Sequence, residues 1–115
     1  MRKLALFLAI VLLITMPLSV SAATRATTIN PTIGFNGTTA ECEVTVFGNY
    51  STDYIEVTMK LMRGNSCIAT WSDSGYGYLY MYNEASAVKS VTYTLVVEVK
   101  INSVALTPVS VNGKC

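Results

Sequence analysis

The stretch Gly75-Tyr76-Gly77-Tyr78-Leu79-Tyr80-Met81-Tyr82 sets four tyrosines at alternate positions. On an extended strand that spacing puts Tyr76, Tyr78, Tyr80 and Tyr82 on one face and Leu79 and Met81 on the other. With the aliphatic pair turned inward, a row of phenols faces out. Each offers apolar area with a polar tip to a sugar ring or a partner protein. Strand propensity and cross-strand pairing favour tyrosine in their own right, so composition alone does not make the row a site.

The remaining reactive groups are sparse. There is no histidine, which removes the commonest general base and metal ligand together. Cys42, Cys67 and Cys115 are the three cysteines. None lies within a C-x-x-C span, so a metal site is not expected, and no imidazole is present to activate a thiolate. In an oxidising compartment two of them can bridge, by any of three pairings, with one thiol left over, or Cys115 can pair between molecules. The carboxylates Glu41, Glu43, Asp53, Glu56, Asp73, Glu84 and Glu98 are scattered. Glu41 and Glu43 share a strand face, about 6–7 Å apart. That separation suits a glycosidase pair, but an open sheet is not a cleft. Asp73 among the oxygens of Ser72–Gly75 is too little for calcium. Asn36-Gly37-Thr38 and Asn49-Tyr50-Ser51 match the glycosylation sequon, which matters only in a host that uses it. No catalytic residue, cofactor or metal is expected.

The elements that position these groups have a period of two. Ala40, Cys42, Val44 and Val46 alternate with polar residues, as do Ile55, Val57, Met59 and Leu61. A third run carries Val91, Tyr93, Leu95, Val97, Val99 and Ile101 at alternate positions. Turn residues fall between such runs at Asn36-Gly37, Gly48–Asp53, Arg63–Ser66, Ser72–Gly75, Asn83–Lys89 and Asn102-Ser103. The expected strands are thus about 27–35, 39–46, 54–61, 67–72, 76–82, 91–101 and 104–111. A helical turn is expected at most near Glu84–Ala87. Seven short strands with polar turns predict an all-β, immunoglobulin-like antiparallel sandwich.

Within that architecture Pro31 marks the first strand as an edge or as one that bends between sheets. Trp71, on an alternating run with Cys67 and Ala69, belongs at the core or its edge. Tyr93 leads its strand and is placed to hydrogen-bond backbone at a corner. Up-and-down strand order brings Cys42, Cys67 and Cys115 to one pole, close enough for at least two to bridge.

The N-terminus reads as a secretory leader over residues 1–22. Arg2 and Lys3 precede the apolar run Leu4–Met16, and Val20-Ser21-Ala22 ends it with small residues. The run is 13 residues, short of the ~20 a membrane span needs. Removing Arg2 and Lys3 leaves six basic and seven acidic residues, too few cations for nucleic acid or an anionic membrane. Residues 23–115 then form one secreted, extracellular domain.

The pattern Ala40-x-Cys42, then Ile55-x-Val57-Thr58-Met59-x-Leu61, Trp71-Ser72, and Tyr93 with Val96, Val97 and Val99 resembles a family of small secreted β-sandwich proteins. These come from Gram-positive, clostridia-type bacteria and have no established function. The resemblance covers roughly Gly37–Val111 and rests on core and turn residues, so it implies fold and export rather than an activity. It includes neither the tyrosine row nor Cys67 and Cys115. The reading that follows is a secreted, non-enzymatic interaction or adhesion module. Its expected partner is a protein or glycan at the cell exterior. The alternative is a carbohydrate-binding module using the Tyr76–Tyr82 face, and a small secreted hydrolase is the weakest of the three.

Overall fold

The alternating runs are the walls of the core. In the computed structural model, which describes residues 27–115, no helix occurs among the described residues. The chain forms β1 (Thr28–Asn36), β2 (Thr39–Phe47), β3 (Tyr54–Arg63), β4 (Ser66–Tyr76), β5 (Tyr78–Ser86), β6 (Thr92–Ile101), β7 (Val104–Ala105) and β8 (Val109–Lys114). The expected leader at 1–22 lies outside the described residues.

Two antiparallel sheets result. Sheet A has the order β1-β2-β5, and sheet B the order β4-β3-β6, with β7 and β8 end to end along the far side of β6. Ala40, Cys42, Val44 and Val46 of β2 face Met59, Leu61, Leu95 and Val97 of sheet B, and all eight are fully buried. Burying each such aliphatic side chain contributes roughly 1.5–3 kcal/mol. A slip of one residue would turn every one of them to solvent, so burial itself holds the register.

β1 lies over β6 and β8. The rings of Phe35 and Tyr93 stand 5.9 Å apart, and Gly113 gives β1 room to close. A Cβ there would come within 2.9 Å of Ile33 Cγ2. Tyr93 is 2 % exposed, and its hydroxyl accepts a hydrogen bond from Val88 N at 2.8 Å across the β5–β6 corner, the backbone contact expected of it. Tyr93→Phe keeps the ring but leaves that amide without its acceptor. The expected cost is about 1–2 kcal/mol, read as a lower denaturant midpoint at unchanged slope.

Three boundaries differ from the sequence reading. Ser72–Gly75 has turn composition, yet Ser72, Asp73 and Ser74 pair with Thr58, Val57 and Glu56, so β4 continues to Tyr76. The reversal falls at Gly77, where φ is +74° and an added Cβ would lie 2.9 Å from Ser51 Cα. The expected fifth strand, 76–82, is therefore cut at its second residue. Glu84–Ala87 is not a helical turn, because β5 stays paired with β2 to Ser86↔Thr39. The last expected strand is broken in two around Leu106–Pro108, giving eight strands among the described residues rather than seven.

Turn chemistry explains the rest of the path. Asn102 and Ser103 both take positive φ, 52° and 69°, in the two-residue turn between β6 and β7, a conformation that matches strand twist. Pro31 sits on an edge strand as expected. In β4, Ile68 is an extra residue between the pairs Leu61↔Ala69 and Met62↔Cys67, a bulge on the other sheet's edge.

Candidate functional site

The outer face of sheet A collects Tyr78, Tyr80 and Tyr82 together with Glu41 and Glu43. Leu79 and Met81 are 7 % and 5 % exposed and point into the core, whereas Tyr78, Tyr80 and Tyr82 are 44–51 % exposed on the opposite side. The expected facing of that strand is correct. Tyr76 is the exception. It lies beyond the Gly77 reversal, on β4 of the other sheet, opposite Tyr54 at a ring separation of 5.1 Å. The row on sheet A is three tyrosines, not four.

Register adds neighbours that spacing alone did not show. Tyr78 stands opposite Phe47, with rings 5.0 Å apart, Tyr80 opposite Thr45, Tyr82 opposite Glu43, and Glu84 opposite Glu41. The third column, from β1, is Thr28, Asn30, Thr32, Gly34 and Asn36. Among the described residues the face thus has four aromatic rings, three carboxylates and no lysine or arginine. Glu41 and Glu43 are there as expected, on an open surface rather than in a cleft. Phe47 and Glu84 were missed, although both fall on the outward parity of their strands.

Phenols and carboxylates are linked. Tyr80 Oη donates to Glu43 Oε2 and Tyr82 Oη to Glu84 Oε2, each at 2.7 Å. Donation to Glu84 is the main reason the Tyr82 pKa rises well above its ordinary value, with desolvation and the charge of Glu41 adding to it. Tyr80 rises in the same sense, first through its bond to Glu43. Both phenols are held neutral. Glu41 directly opposite Glu84 is a like-charge pair, which sheets ordinarily avoid.

The outer face of sheet B is different in kind. Its shallow groove of about 510 Å³ is lined by Glu56, Thr58, Glu98, Lys100, Leu106 and Pro108, among others. Lys60 Nζ sits 3.4 Å from Glu98 Oε2, and Lys100 is opposite Glu56, so the charges there are matched.

The thiols do not bridge. All three are free: Cys42 buried, Cys115 half-buried and Cys67 exposed. The shared pole does form, since Cys115 Sγ donates to Gly37 O at 3.4 Å beside the start of β2. Strand order keeps Cys67 away from Cys115. Cys67 is on β4, three strand intervals from β8, or about 14 Å against the 4.4–6.8 Å a disulfide needs. Cys42 faces the core, and burial pushes its thiol up to about 11. The folded state therefore favours neutral Cys42. That stabilisation is complete below the ordinary pKa of 9.0 and is lost as pH climbs towards 11. Alkylation followed by mass spectrometry should label Cys67 first and Cys115 more slowly. Cys42 should be labelled only with unfolding, and earlier in denaturant as pH passes 9.0.

Trp71 is inward-facing and half-buried at the edge of the core, as expected. Asp73 is on β4 rather than in a loop. Among the described residues no group of three His, Cys, Asp or Glu side chains is placed to hold a metal ion. Asp53 is a residue whose role the sequence did not disclose. The residue is 3 % exposed, and its carboxylate accepts from Asn49 N, Tyr50 N and Asn102 Nδ2 at 3.0–3.1 Å.

Fold and face together define a small all-β sandwich with one aromatic and acidic sheet surface. No protein-family model matches the chain, and no curated protein matches it in sequence.

Proposed function

We propose that the protein is a secreted, non-enzymatic interaction module of the cell exterior that engages a protein partner through the outer face of sheet A. The observation that carries this reading is the composition of that face. Phe47, Tyr78, Tyr80 and Tyr82 are exposed together, beside Glu41, Glu43 and Glu84 with no cation among them. Aromatic side chains of this kind are the usual anchors of protein interfaces. The opposed pair Glu41 and Glu84 costs stability in the isolated protein and is relieved by a partner that brings positive charge. An immunoglobulin-like classification is supported by the three-plus-four strand order and by the Tyr93 corner bond. The leader-like residues 1–22 and the resemblance to small secreted proteins of clostridia-type bacteria support export. Non-enzymatic action is supported by the absence of histidine and by Glu41, Glu43 and Glu84 standing on open sheet rather than in an enclosed site.

Tyr78, Tyr80 and Tyr82 replaced together by threonine test the reading, because threonine is also a good strand former. Wild type and variant are compared for retention of surface proteins, and of glycans and cell-wall fragments, at equal thermal midpoint. Loss of a retained protein by more than about 2 kcal/mol supports the proposal. Loss of glycan binding alone transfers the face to the carbohydrate-binding reading, in which rings stack on sugars. Equal retention by both proteins removes the face from the function.

A further inference from the structure

Sheet A is one strand narrower than sheet B, and the vacant position is beside β5. Sheet B runs four strands across, β4-β3-β6-β8, against β1-β2-β5. With β1 over β8 and β6, the two layers end unevenly on the β4 side, where the inward-facing Ala69 and Trp71 of β4 stay only half-buried. Asn83 and Ala85, inward on β5, are half-buried as well, although Leu79 and Met81 are covered.

Backbone direction on β5 can be read from two bonds. Gly48 N donates to Gly77 O, and Ala87 N donates to Thr38 O, so at both ends of β5 the odd-numbered residues turn their backbone groups toward β2. Antiparallel alternation carries the same sense through Leu79, Met81, Asn83 and Ala85. The N–H and C=O groups of Tyr78, Tyr80, Tyr82 and Glu84 therefore point away from β2, toward an edge that pairs with nothing among the described residues. The edges at β1 and β4 are blunted. The same alternation aims the nitrogen of Pro31 at the free side of β1, and β4 carries the Ile68 bulge and an exposed Asp73 at an inward position. β5 has nine residues with no proline and no bulge.

We propose that β5 is a strand-addition site, and that its occupant is an extended segment of a partner protein alternating apolar and basic residues. The proposal rests on the reading of sheet A as the contact surface and specifies how the partner engages it. Side chains of an added strand alternate between faces. Those turned inward would cover Trp71, Ala69 and Ala85 and must be apolar. Those turned outward would lie beside Tyr80, Tyr82 and Glu84, where an ammonium or guanidinium group meets both a carboxylate and aromatic rings. The clustering of Glu41, Glu43 and Glu84, with no cation on the face among the described residues, selects the basic partner.

The probe is an alternating lysine–valine peptide of about nine residues, a common strand length. Its controls are the glutamate–valine peptide and a scrambled lysine–valine sequence. With the lysine–valine peptide, hydrogen exchange should slow at the amides of Tyr78, Tyr80, Tyr82 and Glu84, and the emission of Trp71 should shift to the blue. Tyr80→Pro removes an edge-facing N–H that the β2 ladder does not use, so the fold should hold while binding falls about tenfold or more. Tyr80→Thr keeps that N–H and should bind more tightly than the proline variant. Binding without edge protection, or binding indifferent to Tyr80→Pro, overturns strand addition and leaves the sheet face as the contact surface. Equal binding of the glutamate–valine peptide overturns the basic occupant, and failure of the lysine–valine peptide to bind overturns the proposal. Edge protection that rises with protein concentration and no peptide makes a second copy the occupant, which also overturns it. The exchange pattern of the wild-type protein decides the matter if the proline variant does not fold.

Discussion

Leu79→Thr combined with Met81→Thr is expected to leave the protein largely unfolded at room temperature. Both side chains are at least 93 % buried, packed against the cluster that joins the two sheets. Truncating a buried leucine or methionine costs about 2–5 kcal/mol, and a buried threonine hydroxyl adds to that unless it finds a partner. Two such losses approach the entire stability of an ordinary domain, about 5–15 kcal/mol. Tyr78, Tyr80 and Tyr82 lie on the same strand at alternate positions, yet replacing all three by threonine should cost far less. Their rings are about half exposed, and their ties to Glu43 and Glu84 are surface bonds. Denaturant unfolding of the two variants side by side is the measurement. The reverse ranking would mean that the buried and exposed faces of β5 are exchanged, and the contact surface would be lost with it.

That ranking is the part of the site most legible in the sequence. Strict alternation specifies which side chains share a face, and the aliphatic pair between tyrosines tells the faces apart. The same signal located the walls built by Val44, Met59 and Val97. Tyr93 was legible for another reason, since a tyrosine opening an alternating run at a corner has few roles. What alternation does not report is where a strand stops. Ser72-Asp73-Ser74-Gly75 has the composition of a turn, but pairing with Glu56–Thr58 keeps it extended. Gly77 looks like one more residue of the tyrosine strand. It is the reversal because its backbone approaches Ser51 more closely than any side chain allows. Both outcomes are set by contacts with residues 14–26 positions away in the chain, which no local pattern encodes. The thiols follow the same rule. Their common pole came from strand order, whereas Cys67 and Cys115 are kept apart because β4 and β8 lie on opposite sides of sheet B.

Asp53→Ala is expected to be the most damaging single change outside the core, and it acts on those same contacts. The carboxylate holds the β2–β3 loop by accepting from Asn49 N and Tyr50 N, and holds the β6–β7 turn through Asn102 Nδ2. Asn102 in turn accepts from Tyr54 N at 2.9 Å and donates its own N–H to Tyr54 O at 2.8 Å. The Asp53 carbonyl accepts from Gly77 N at 2.8 Å, which ties the reversal that launches β5 to the same loop. Alanine leaves three donors without an acceptor at a site that is 3 % exposed. The expected loss is about 2–4 kcal/mol, because hydrogen bonds to a charged group are the stronger kind. For a domain of this size that is a fall of roughly 10–25 °C in thermal midpoint. Asp53→Asn keeps one acceptor oxygen and should fall between the two. Beyond stability, freeing the loop loosens the turn that sets where β5 begins. Hydrogen exchange should therefore quicken at Asn49, Tyr50 and Gly77, and at Tyr54, before it does at Val44 or Val97 in the core. A variant that loses midpoint while those loop amides keep wild-type protection would show that Asp53 acts through packing rather than as the acceptor organising this pole. The position of the tyrosine row would then depend on Gly77 alone.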